Sequence, residues 1–193
     1  AINHDDSDHN VAIGDGALVG GTGTVKHNVC IGTNVMSQMG NEDQTGTVAV
    51  GYYSLFDLTT GGSNTAIGYQ SGKALTTSGN NVAIGYDSLI SAVDACNSNV
   101  AIGVQAMRTV DRGSHADATV NGNIAVGYNA LAGGDFVSSD KDLVGNIAIG
   151  KNTLDATGAN AHTGTIAIGH EALTVATTAT ATTAIGYKAG HLI

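Results

Sequence analysis

Residues 81–89 read Asn-Val-Ala-Ile-Gly-Tyr-Asp-Ser-Leu, and close variants of this nonapeptide recur along the whole chain. The glycine that closes each Ala-Ile-Gly triplet falls at Gly14, Gly32, Gly51, Gly68, Gly85, Gly103, Gly127, Gly150, Gly169 and Gly186, at intervals of 18, 19, 17, 17, 18, 24, 23, 19 and 17 residues. A near-constant period of about 20 residues marks a stacked repeat and outranks any local motif. The residue before this glycine is Ile eight times and Val twice, and the one before that is Ala nine times and Cys30 once. Four residues before it stands Asn seven times, as Asn10, Asn28, Asn64, Asn81, Asn99, Asn123 and Asn146, and Thr three times. Four residues after it stands Leu six times, Met twice and Gly twice.

Val82 and Ile84 are β-branched at alternate positions, so they share one side of a strand of about five residues and Ala83 takes the other. The glycine suits a sharp corner, where positive φ or the absence of a Cβ is wanted. A second short extended piece is expected over residues 86–89, with Ser88 and Leu89 on opposite sides. The segments between units are rich in Gly, Ser, Thr, Asn and Asp and read as turns and loops. No 3.6-residue period is present, so no helix is expected.

A unit this short cannot bury its own apolar face, but a stack of such units can. The fold class is therefore all-β, a parallel β-roll or β-solenoid of about ten short two-strand coils. At about 4.8 Å per coil the rod is about 48 Å long. Ile should lie on Ile and Val on Val, and the Asn column should form a side-chain amide ladder. The alanine column marks a close approach, either to the opposite wall of the same coil or to a neighbouring chain. Residues 1–9 form a polar N-terminal segment and residues 10–193 one repeat domain, with longer loops at 108–122 and 132–145.

Composition narrows function. The chain has 28 Gly, no Pro, no Trp and two Phe, so regular stacking has to replace a core of large aromatics. Seven basic against 16 acidic residues leave a net charge of −9, which argues against nucleic acid or an anionic membrane surface as partner. No apolar run reaches 18 residues, so membrane insertion is not expected, and the first ten residues are too polar for a signal peptide. The chain begins without Met and is read as a processed or excised segment. Cys30 and Cys96 lie several coils apart, beyond the ~7 Å that a disulfide allows between Cα atoms, and are expected as free thiols, Cys30 acting as a slightly larger alanine.

Candidate sites are few. His4, Asp5, Asp6, Asp8 and His9 offer oxygen and imidazole ligands at short spacing, and Asp140 and Asp142 in residues 135–142 offer a second carboxylate group. Solvated charge is the plainer account of both. Tyr52, Tyr69, Tyr86, Tyr128 and Tyr187 each follow a corner glycine and form a line of phenols that could meet sugar rings, although Asp15, Thr33, Val104, Lys151 and His170 share the position. The threonine-rich residues 174–183 run along one coil instead of across coils, which speaks against a flat threonine array. No nucleophile elbow, zinc helix or phosphate-binding loop is present, and His170-Glu171 lacks a second His, so no enzyme activity and no cofactor are expected.

The segments NVAIGYDSL, NTAIGYQSG, NIAVGYNAL and TTAIGYKAG resemble the head repeats of trimeric autotransporter adhesins, and still more the NTAIGYxAL repeats of bacteriophage tail-fibre and appendage proteins, over residues 10 to about 190. The resemblance implies a left-handed parallel β-roll assembled as a homotrimer. It implies an extracellular, virion or cell-surface location and loops displayed for attachment to a host surface glycan or protein. The 24- and 23-residue intervals exceed the family spacing and make residues 108–122 and 132–145 insertions. Residues 1–193 show no stretch that reads as a barrel anchor, coiled-coil neck or self-cleaving chaperone. A self-assembling extracellular filament, stacked through uncapped coil ends, is the rival expectation.

Overall fold

The computed structural model describes residues 9–21, 23–40, 42–91, 96–109, 119–133, 142–155, 162–176 and 179–191. Within them the chain is a β-solenoid without helix. Ten three-residue strands, from Val11–Ile13 to Thr183–Ile185, lie side by side in one long parallel sheet. Register is kept throughout, with Val82 opposite Val100, Ala83 opposite Ala101 and Ile84 opposite Ile102. The 24-residue interval leaves it unchanged, with Ala101 opposite Ala125. A slip by one residue would exchange every Ala with an Ile, which the side-chain period of two forbids.

The alanine side of these strands faces the interior of the coil. Ala49, Ala101, Ala125, Ala148 and Ala167 have no exposed surface, and Cys30 occupies the same column equally buried. Of the two close approaches left open by the sequence, the opposite wall of the same coil is the one observed. The valines and isoleucines point outward and are half-buried or exposed.

Residues 86–89 do not form a second extended piece. They form a turn in which Asp87 (φ 54°) and Leu89 (φ 52°) have left-handed backbone, and the equivalent residues of the other coils do the same, as at Tyr53 and Leu55 or Asn129 and Leu131. Left-handed residues break strand alternation, so Ser88 and Leu89 are both buried instead of lying on opposite sides. The hydrogen-bond ladder is nevertheless carried through the turn. Asp87 N donates to Tyr69 O of the preceding coil at 3.0 Å, and Leu89 N donates to Ala106 O of the following one at 3.0 Å. A left-handed leucine costs about 1–2 kcal/mol, and complete burial of its side chain returns about 1.5–3 kcal/mol. Gly72 takes this place in one coil, and there Leu75, three residues later, is fully buried in its stead. A Cβ on Gly72 would stand 3.1 Å from Leu75 Cδ1.

The second strand of the coil comes before the corner, in segments whose composition reads as loop. Val25–Lys26 pairs with Gln44–Thr45, and Cys96–Asn97, Val120–Asn121, Leu143–Val144, His162–Thr163 and Ala179–Thr180 form a five-stranded parallel sheet. Each contributes one buried side chain to the core, for example Val25, Val120 or Leu143. Two residues are too few to show alternation, which is why composition hides them. Gly61, Gly62, Ser78 and Gly79 stand at the corresponding places of two coils and interrupt this sheet.

Between the short and the long strand the backbone turns through a left-handed residue such as Asn80 (φ 60°) or Gly122 (φ 66°). The asparagine that follows bridges the bend. Asn99 Nδ2 donates to Val120 O at 2.8 Å and to Asn81 Oδ1 at 3.2 Å, while its Oδ1 accepts from the backbone N of Asn123 at 2.9 Å and from its Nδ2 at 3.0 Å. The same bonds link Asn64, Asn81, Asn99, Asn123 and Asn146 without a break, and join Asn10 to Asn28.

Candidate functional site

Two features of the exterior differ from ordinary solvated surface. The first is the outer face of the long sheet. None of the thirty residues in its ten three-residue strands is charged, and its outward columns are Val, Ile and Thr. Ile13, Ile31, Ile67, Ile102, Ile124, Ile149 and Ile185 are exposed. A contiguous apolar surface of this kind on a sheet is a candidate for contact.

The second is the column immediately past the corner, which runs Asp15, Thr33, Tyr52, Tyr69, Tyr86, Val104, Tyr128, Lys151, His170, Tyr187. All five tyrosines of this column stand exposed. Tyr52 stacks on Tyr69 at 5.4 Å between ring centroids and Tyr69 on Tyr86 at 5.1 Å, with planes within 13° and 6°. Further along, Lys151 Nζ lies 5.9 Å from the Tyr128 ring centroid and His170 stacks on Tyr187 at 5.4 Å. Stacking therefore covers both faces of Tyr69 and leaves its edge to solvent. Desolvation, followed by the neighbouring phenols of Tyr53 and Tyr69, pushes the Tyr52 hydroxyl above its ordinary pKa.

Residues two past the glycine flank this column. Tyr53 packs on Tyr52 at 4.4 Å and on Phe56 at 4.5 Å, with Lys73 Nζ 5.6 Å from its ring. Lys188 and Glu171 form an ion pair at 3.2 Å; its hydrogen bond holds the Glu171 carboxyl below and the Lys188 ammonium above their ordinary values. Sequence alone does not single out this flanking column, because its ten members share no residue type.

Of the candidate metal ligands, Asp5, Asp6, Asp8, Asp140 and His4 lie outside the described residues. Asp142 is already engaged: its Oδ1 accepts from Thr119 N at 3.0 Å and Thr119 Oγ1 at 2.7 Å, tying one coil to the next. Asp43 does the same for Thr24 N at 2.8 Å, a bond that lowers its carboxyl pKa. His9 stacks on His27 at 5.2 Å. No group of three or more His, Cys, Asp or Glu suited to a metal ion occurs among the described residues. Cys30 and Cys96 are both free and buried, and burial pushes each thiol up to about 12. Among the described residues no helix is long and apolar enough to cross a membrane.

No protein-family model, no curated protein and no solved structure matches this chain.

Proposed function

We propose that this chain is a non-enzymatic structural and adhesive module, the repeat region of a phage or virion tail fibre or a related surface appendage. Copies of the chain assemble through the outer face of the long sheet, in the homotrimer that the repeat resemblance implies, and the turns and insertions are left to meet a host surface. The supporting observation is the uncharged outer face itself. Ten strands at about 4.8 Å and three residues at about 3.3 Å make a strip about 48 Å by 10 Å. That footprint, about 480 Å², is over half of the ~800 Å² that each partner contributes to a stable interface, and it leaves the adjoining tyrosine column open. A second copy carries the same surface at the same 4.8 Å pitch, so side-chain rows can interdigitate along the rod.

Light scattering coupled to size exclusion tests this reading. The purified chain should elute as a discrete trimer, and Ile102→Lys, at an exposed position, should keep its far-UV spectrum and fall to monomer. A monomeric wild type overturns the proposal, and long unbranched threads favour the end-to-end filament.

A further inference from the structure

We infer that the tyrosine column contains a binding slot for one neutral hexopyranose ring, walled by Tyr86 and Tyr128 and floored by Val104. This names a ligand class for the attachment role proposed above and rests on that reading. The column is a ladder with a missing rung. Tyr86 and Tyr128 belong to coils separated by a single coil, whose residue at this place is Val104. The inner ladder spaces its rings 5.4 and 5.1 Å apart, so two rungs separate the Tyr86 and Tyr128 rings by about 10 Å. Valine ends at its γ-methyls and leaves the outer part of that gap open. All three residues stand in solvent, at 48%, 43% and 46% exposure for Tyr86, Val104 and Tyr128.

The far side of each wall is already taken. Tyr69 stacks on Tyr86 at 5.1 Å and Lys151 Nζ lies over Tyr128. Each follows its neighbour in the column order, so the ring faces left over are those turned toward Val104. Both face the same gap, whereas Tyr69 is covered on both faces and offers none.

A polar group beside the slot is unsatisfied. Asp87 is 6% exposed, and its Oδ1 has no hydrogen-bond partner. Its column flanks the rings, as the contacts of Tyr53 with Tyr52 and of Lys188 Nζ with Tyr187 show. Asp87, Gln105 and Asn129 occupy this flanking column in the three coils that form the slot. A buried carboxylate oxygen without a donor is costly unless one is supplied, and sugar hydroxyls are donors.

Hydrogen-bond donors and charge select the ligand. A flat aromatic ring would fit the gap, as Tyr69 fits between Tyr52 and Tyr86, but brings no donor to Asp87. A pyranose chair is thicker, presents C–H groups to both ring faces and carries hydroxyls at its rim. The Asp87 carboxylate and the net charge of −9 disfavour uronic and sialic acids.

Saturation-transfer NMR on the full chain tests the slot, with methyl β-glucopyranoside, methyl β-galactopyranoside, methyl β-glucuronide and acetylarginine methylamide as probes. Transfer to at least one neutral hexoside is expected. Val104→Tyr supplies the missing rung with the residue found at this place in five other coils, so it should fold normally by circular dichroism and lose the signal. Tyr128→Ala should weaken binding about tenfold, as expected for loss of one stacking face. No transfer to either neutral hexoside, or equal transfer in Val104→Tyr, overturns the inference. Transfer confined to acetylarginine methylamide overturns it in favour of a guanidinium site. Light scattering on the same samples reads self-association separately, so failure of the assembly reading and failure of the slot are told apart.

Discussion

Each coil has two corners, and they meet one problem by opposite means. A parallel ladder has to continue from coil to coil although the backbone bends sharply. At the corner after the long strand, glycine removes the obstacle. Gly127 has φ +134°, and a Cβ there would sit 2.5 Å from the carbonyl oxygen of Gly150 in the next coil. At the corner before the long strand, asparagine adds a substitute. Its carboxamide takes the place of backbone partners that the left-handed residue turns away, as Asn99 does for Val120 O and Asn123 N. A main-chain contact admits no side chain at all, and the glycine occurs ten times in ten. A side-chain bridge can be imperfect, and the asparagine gives way to Thr47, Thr165 and Thr182. Thr165 Oγ1 reproduces one bond, to Ala179 O at 2.7 Å, whereas Thr47 Oγ1 is buried without a partner.

The largest expected effect comes at the glycine corner. Gly127→Ala forces main chain against main chain as well as a strained φ, and should cost about 3 kcal/mol or more, read by chemical denaturation. Asn99→Ala comes next, because it orphans Val120 O and Asn123 N inside the coil. About 2–3 kcal/mol is expected. In that variant Cys96, whose Sγ lies 3.3 Å from Asn99 Nδ2, should react faster with an aromatic disulfide at about pH 8, while Cys30, in the middle of the long strand Val29–Ile31 and several coils away, keeps its native rate. Equal acceleration of both thiols would mean that the loss at Asn99 spreads along the whole stack instead of staying at its own coil.

Smaller effects sharpen the contrast. Thr47→Asn joins Asn28 to Asn64 in one ladder and should stabilise by about 1 kcal/mol, seen as a higher thermal midpoint. The smallest effect belongs to Gly122→Asn. Gly122 is left-handed like Gly127, but nothing lies within 4 Å of its hypothetical Cβ, and Asn80 holds the equivalent place with φ 60°. A change within about 0.5 kcal/mol is expected. A large loss at Gly122 would show that φ, and not close approach, sets the rank of the two corners.

Much of this was legible in the chain. Glycine at a constant place announces a corner, asparagine at a constant place announces a ladder, and matched Val-Ala-Ile triplets fix register before any coordinate is known. The short strands were not legible, because two residues such as Val120–Asn121 carry no period. Nor was the conformation of residues 86–89. Tyr, Asp, Ser and Leu have no intrinsic bias toward repeated left-handed backbone, and Leu89 accepts it only because the coil interior rewards its burial.

The sequence by itself thus determined the architecture: parallel coils, their register, their glycine and asparagine corners, and two free thiols. Tertiary structure decided which side of the strand faces in. Alternation separates Ala83 from Val82 and Ile84 but is silent on direction, and ordinary hydrophobicity would send the larger residues inward. The turn sends Leu89 and its equivalents into the interior instead, leaving space on the opposite wall only for side chains as small as alanine or Cys30. The same stacking makes a slot of Tyr86, Val104 and Tyr128. These residues are 18 and 24 positions apart in the chain and adjacent only because each coil rests on the next.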